Sequence, residues 1–491
     1  MRCPLPSALG CLAPLGALAL AGAAVLPAAV QAGTRQPEAG AQAGPQAMAS
    51  REPQLRVLLQ LGAAAQLRTP AAAAGVRVRD GQGRLLLELP AERGLPRLQV
   101  DLQQGWLRLR ALPEANSPEP LVESTPATAP EELMARELWL EAVPAAMEQD
   151  PGLWLQQRRY RGRLQLRLEA GQLQVVNHVP LETYLPSVVG SEMPASWPLE
   201  ALRAQAVAAR TYALKARKPA SVFDLQATTA SQVYKGVEAE TPSTRAAVEG
   251  TRGLVLTYDD ALIDAVFHSS SAGSATESSG QLWPRQLPYL VSVPDYDRES
   301  PVREWRQPLE AAQLSRAFPE LGAVSAIEVL STTATGRVRQ ARVVGPSGQL
   351  LLSGSQLRSR LGLKSTWVRF ELMPLVQPEL SPSPLPAALL PTALVPTAPV
   401  PPPLPALTLP APASPALEVL QLVAVGRGFG HGIGMSQWGA LGLARQGESF
   451  AAILRHYYRG TQLRPYGQVA SLARLGPGWA QPQATALSVS P

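Results

Sequence analysis

Cysteine is almost missing from this 491-residue chain: Cys3 and Cys11 are the two present, and both lie at the extreme amino terminus. A mature chain without that terminus has no thiol, so no disulfide and no cysteine-bound metal can hold it together, and packing must. Histidine is nearly as scarce. His178, His268, His431 and His456 make up the set, with no paired ligand spacing, so neither a metal nor a cofactor is expected. Long apolar runs are also lacking, with one exception from about Leu9 to Ala29. Met1-Arg2 precedes that run and Val30-Gln31-Ala32 follows it, which is the pattern of a secretory signal over residues 1–32, with an uncleaved anchor as the alternative. The chain is therefore expected to be exported, to the periplasm, the cell envelope or the medium. Membrane contact is expected only through the signal segment, if it is not cleaved.

What is present is a basic balance, formally +6 at pH 7. Such a charge suits an anionic polymer, and with an export signal and no nucleic-acid motif, wall polymers outside the cell are the expected partner and nucleic acid is not. Residues 53–113 alternate apolar and polar residues between turn signals, Asp80-Gly81-Gln82-Gly83 being the clearest, and read as a β-rich segment. An acidic, proline-rich loop over 114–132 separates it from a mixed α and β region, 133–373. Within that region an alanine-rich helix is predicted from about Pro198 to Arg217, its inward stripe being Leu199, Leu202, Ala206, Ala209 and Ala213. Residues 374–417 form a proline-rich insertion: fifteen prolines fall between Pro374 and Pro415, with Glu379 as the one charge. The pattern resumes over 418–464, with a final helix near Phe450 to Tyr458 capped by Ser449, and 465–491 is a tail.

Two segments invite chemistry. Glu192 sits in Gly190-Ser191-Glu192-Met193-Pro194, where Pro194 biases Met193 towards extended backbone and gives the acid a defined trajectory. Beside Met193 and Trp197 its pKa could rise enough to keep a proton for a leaving oxygen, or it could be a solvated carboxylate near a helix start. On composition and position alone the solvated carboxylate is the favoured reading. Far downstream, Gly426, Gly428, Gly430, Gly432 and Gly434 alternate with Arg427, Phe429, His431 and Ile433 before Met435-Ser436-Gln437-Trp438. If that segment is extended, one of its faces carries no side chains, and a flat ligand or another backbone could lie against it. His268 before Ser269-Ser270-Ser271 suggests a serine nucleophile only weakly, since no Gly-x-Ser-x-Gly elbow is present.

Several long motifs occur in a fixed order: Val175-Val-Asn-His-Val-Pro-Leu-Glu-Thr-Tyr-Leu185, Glu192-Met-Pro194, Leu199 to Ala213, Phe267-His-Ser-Ser-Ser-Ala-Gly273 and the glycine segment. Through them the chain resembles the stage II sporulation protein D family (SpoIID/LytB) from about Arg159 to Leu463. The resemblance implies an α+β, β-rich catalytic region with the long alanine-rich helix beside a cleft. It also implies a lytic transglycosylase that cuts peptidoglycan glycan strands between muramic acid and glucosamine, with the acid of the Glu-Met-Pro motif, here Glu192, as general acid and base. Peptide-stripped strands carry a free lactyl carboxylate, which Arg210 or Arg427 would pair with. His268, Ser269, His431 and Gln437 would line the cleft, and Trp438 or Tyr212 would stack on a sugar. The same resemblance extends to amidase enhancers, so the alternative is a module that binds glycan and stimulates a cell-wall amidase without cutting.

Overall fold

A computed structural model of the chain describes residues 52–90, 97–112, 132–145, 150–374 and 420–469. The expected signal, the acidic loop up to residue 131, the proline-rich insertion and the end of the tail lie outside the described residues.

The fold is α+β. A seven-stranded sheet takes its strands in the order Leu225–Gln226, Gln54–Gly62, Gln172–Pro180, Arg163–Glu169, Glu137–Pro144, Ala73–Asp80, Leu85–Pro90. Strands from residues 53–113 and strands from the mixed region thus interleave in one sheet. Their patterning explains it: Leu55 and Val57, Val76 and Val78, Leu138 and Leu140, Leu164 and Leu166 all bury every second side chain on the same face. A six-stranded sheet containing Ala64–Arg68, Arg97–Gln103 and Trp106–Leu112 supplies the facing layer, with Leu67, Leu98, Val100, Leu107 and Leu109 in the same core.

The helices extend this core. Leu199–Lys215 is helical, and from Ala204 to Thr211 every side chain is buried, whereas Leu199 is exposed. The single inward stripe expected from the sequence is thus replaced by burial on all sides, because alanine is small enough for neighbours to approach the helix from every direction. A second helix, Leu181–Glu192, precedes it although it contains Pro186 and starts after Pro180. Its first N–H groups are met by tertiary partners: Leu181 donates to the Pro53 carbonyl at 2.9 Å and Glu182 to the Glu52 carboxylate at 2.7 Å.

A smaller core forms where Leu420–Gly426 is the centre strand between Trp305–Leu309 and Val368–Pro374, beside the three-stranded sheet of residues 326–353 and the helix Gly354–Leu361. Trp305, Phe318, Val338, Val343, Leu357 and Ala424 fill it. Strands on either side of the proline-rich insertion therefore pair directly, Val368 opposite Gly426 and Leu372 opposite Leu422.

Candidate active site

Glu192 is the last residue of the helix Leu181–Glu192. Met193 leaves that helix in extended backbone, φ −132° and ψ 144°, as the proline after it requires. Gly190 sits inside the last turn because a Cβ there would overlap the Ala239 carbonyl oxygen; its absence lets the helix end lie against that backbone. The carboxylate is held from two directions. The Val233 N–H donates to Oε1 at 2.8 Å, and the Gln437 side-chain amide donates to Oε2 at 3.2 Å.

Both donors are themselves fixed. Next to Val233, the Gln232 amide donates to the Ala209 carbonyl at 3.2 Å while its oxygen accepts from the Tyr184 hydroxyl at 3.2 Å. On the other side the Tyr234 hydroxyl donates to Asn177 at 3.0 Å. Gln437 opens the helix Gln437–Arg445, whose N-cap Ser436 accepts from the Gly439 N–H at 3.1 Å. Met435–Ser436 in turn pairs in parallel with Phe267–His268, and the Trp438 N–H donates to the Ser269 carbonyl at 3.0 Å.

Burial raises the Glu192 carboxyl above its ordinary range, opposed by the Val233 N–H, the Gln437 amide and the charge of Lys235, all of which favour the anion. The Trp197 and Trp438 rings meet edge to face, 5.0 Å between centroids, and both are half-buried. Thus Glu192, Ser269 and the adjacent pair Gln437-Trp438 come together from three separate stretches of sequence. Tyr212, half-buried on the alanine-rich helix, hydrogen-bonds with Ser231 in the same loop that carries Val233. The Val233 N–H was not legible in the sequence, since a backbone donor has no residue signature.

Other residues expected at the cleft are placed differently. Arg210 is fully buried, with a bidentate ion pair to Glu182 at 2.9 and 2.7 Å and further bonds to the Leu254 and Val248 carbonyls. No part of that guanidinium is left for a substrate carboxylate. His268 is also buried, with Nδ1 3.2 Å from the Ile433 carbonyl and Nε2 2.8 Å from the Ser271 hydroxyl. A carbonyl can only accept, so Nδ1 carries the proton and Nε2 accepts from Ser271. Burial, followed by the His431 and Arg337 charges, pushes its pKa well down, and the ring is a neutral internal strut. His431 lies 5.5 Å from it between centroids, with its Nδ1 accepting from the Ile433 N–H at 3.1 Å. Burial and then Arg358 and Arg337 lower its pKa to about 4. Arg427 stays exposed, paired with Glu304 at 3.0 Å and stacked on Trp367 at 4.7 Å.

The glycine segment explains these positions. It is not an extended ribbon: Gly428, Gly430, Gly432 and Gly434 all have positive φ, and a Cβ on any of them would overlap neighbouring atoms. For Gly434 the neighbour is the Val266 carbonyl, and for Gly432 it is the Arg337 guanidinium. Neighbouring protein atoms lie against these glycines. The alternating glycines let a strap close over His268 and Arg337 and deliver Gln437 to Glu192.

Acids that could support a second catalytic role are committed elsewhere. Asp264 accepts from Tyr289 at 3.0 Å, Glu277 from Thr335, and Asp295 from Tyr457 at 2.7 Å. Asp295 is pushed up to about 6 by burial and by Asp297. Among the described residues no group of His, Cys, Asp and Glu is arranged to hold a metal ion, and no helix is long and apolar enough to cross a membrane.

Comparison with known proteins places this geometry in a family. The family described as Stage II sporulation protein, SpoIID, matches residues 169–258, the stretch that contains Glu192 and its helix, the alanine-rich helix and Val233. Stage II sporulation protein D of Bacillus subtilis (strain 168) is 32% identical over 316 residues, which cover 59% of this chain and 76% of that protein. The chain belongs to the SpoIID family. A second relative, Stage II sporulation protein D of Bacillus amyloliquefaciens, is 31% identical over 59% of this chain and 75% of its own length. The Amidase enhancer of Bacillus subtilis (strain 168) is 33% identical over 306 residues, 57% of this chain, and the match spans 40% of that longer protein. The SpoIID match ends at residue 258, so within the candidate site Gln437 and Trp438 come from outside it.

Proposed function

We propose that this SpoIID-family chain is a peptidoglycan lytic transglycosylase with Glu192 as its single general acid and base. The observation that carries the reading is the state of that carboxyl: half-buried, raised in pKa by burial, and aimed by the Val233 N–H and the Gln437 amide. A raised pKa keeps a proton available for the glycosidic oxygen as its bond to the muramic anomeric carbon breaks. The resulting carboxylate then takes the proton from the muramic primary hydroxyl as that oxygen attacks the same carbon and closes an anhydro ring. No water is consumed, and one carboxyl serves both steps because the nucleophile belongs to the substrate. The edge-to-face Trp197 and Trp438 pair offers an apolar wall against which a sugar ring can lie. The substrate on this reading is a peptide-stripped glycan strand, met outside the cytoplasm.

The name of the Amidase enhancer relative favours a second reading, in which the chain binds glycan and stimulates a cell-wall amidase without cutting. One experiment separates them. The mature protein and Glu192→Gln are incubated with peptide-free and intact peptidoglycan, and the products are weighed. Anhydro ends, lighter than reducing ends by one water and absent with Glu192→Gln, are the expected result. Reducing ends would indicate hydrolysis, and binding by both proteins without products would indicate the enhancer.

A further inference from the structure

A cavity of about 660 Å³ has His431 of the glycine strap in its wall. The turn with Trp283, the sheet of residues 326–353 and the start of the helix Gly354–Leu361 enclose the rest. Its lining is electrostatically one-sided. Arg339 and Arg358 are in it, and no Asp or Glu is, among the described residues. Neither arginine has an ion-pair partner among the described residues. Among the described residues Arg358, half-buried, donates only its Nε, to the Leu363 carbonyl at 3.2 Å, and Arg339 is exposed. A guanidinium held in partly desolvated surroundings without a counter-ion is an electrostatic cost that an incoming anion removes.

Two independent features point to the same ligand chemistry. Thr366 is 4% exposed in the cavity wall, and its hydroxyl has no hydrogen-bond partner among the described residues. At the helix start the capping box pairs Ser353 with Gln356, and Gly354 and Ser355, the first two helical residues, are in the cavity wall. Trp283 adds an aromatic surface suited to a sugar ring.

We infer that this cavity is a carboxylate-binding subsite for the wall polymer, in which Arg358 and Arg339 pair with an acid group of the glycan strand or of its peptide. The inference rests on the reading of the ligand as wall glycan. Five residues of strap lie between His431 in the cavity and Gln437 on Glu192, at most ~22 Å of chain, so one polymer can reach both. The site thus takes the role that the family resemblance implied for Arg210 or Arg427; the Arg210 guanidinium is consumed by Glu182.

The test is a binding measurement by calorimetry at low ionic strength, made in the Glu192→Gln background so that cleavage does not intervene. The probes are a peptide-free muramic acid and glucosamine tetrasaccharide, the same oligomer with its lactyl carboxyls reduced to alcohols, and a soluble stem peptide. Arg358→Gln removes the cation. Ser355→Glu puts an anion at an exposed first-turn position where an acid also suits the helix, so the fold is kept while the ligand is repelled. The expected result is tenfold or greater weakening of the carboxylated oligomer by each variant, with the reduced oligomer binding equally to all. If the stem peptide instead shows the Arg358 and Ser355 dependence, the subsite stands and its carboxylate is the peptide's. Equal binding of both oligomers, unchanged by either variant, overturns the subsite and leaves the glycan reading intact; no binding of any probe overturns both.

Discussion

Replacing Gln437 by leucine removes the donor on Oε2 of Glu192 while leaving the Val233 N–H on Oε1 in place. A hydrogen bond to a charged group contributes about 1.5–3 kcal/mol, and at 3.2 Å beside partial solvent the low end applies. One pH unit corresponds to about 1.4 kcal/mol, so losing this donor should raise the Glu192 pKa by about one unit. The sign follows from chemistry. Glu192 must carry a proton when the glycosidic bond breaks, so activity is present below its pKa and lost above it. The alkaline limb of the rate against pH on peptide-free glycan should therefore move upward by about one unit in Gln437→Leu. Lys235→Met should move it in the same direction by less, because the lysine acts only through its charge. Glycan turnover followed from pH 4 to 9 by release of anhydro ends measures both. An alkaline limb that stays in place or moves downward would refute the assignment of Glu192 as the acid, or of Gln437 as its partner.

The same raised carboxyl makes a stability prediction. A folded-state pKa above the unfolded value means stability that is present at low pH and lost as pH rises through the folded pKa, so Glu192→Gln should gain Tm over the parent increasingly as pH goes from 4 to 7. A thermal shift that is flat with pH would show that the carboxyl is not desolvated. Arg210→Ala should cost about 3–5 kcal/mol of unfolding free energy by stranding buried Glu182, measured in urea, while glycan binding per folded molecule stays near the parent value. Weak binding in a stably folded Arg210→Ala would instead restore the arginine to the cleft. Gly190→Ala should cost about 1–3 kcal/mol, since the added Cβ overlaps the Ala239 carbonyl, and it should lower activity as well by displacing the helix end that carries Glu192; unchanged Tm and rate would contradict this.

The family and the run of most elements were legible in the residues, and so was the candidate acid's local backbone. Glu192-Met193-Pro194 marks a carboxyl whose following backbone is forced to be extended, and Met193 is extended for that local steric reason. The helix ending at Glu192 was hidden, because Pro180 and Pro186 disguise it and its first N–H groups are satisfied by Pro53 and Glu52, more than a hundred residues away.

The sequence by itself determined which side chains exist to do chemistry: a chain with four histidines and no cysteine beyond Cys11, one acid ahead of an alanine-rich helix, and glycine at every second position of a later segment. These are local facts, set by covalent structure and backbone sterics. Tertiary structure decided what each of them faces. Arg210 and Glu182 are on different helices, and only packing could reveal that they neutralise each other; Glu192 and Gln437 are 245 residues apart, and only the strap closing over His268 could bring them into contact. Hydrogen bonding and desolvation depend on distance in space, so the same charged side chain becomes a ligand, a strut or an acid according to its neighbours.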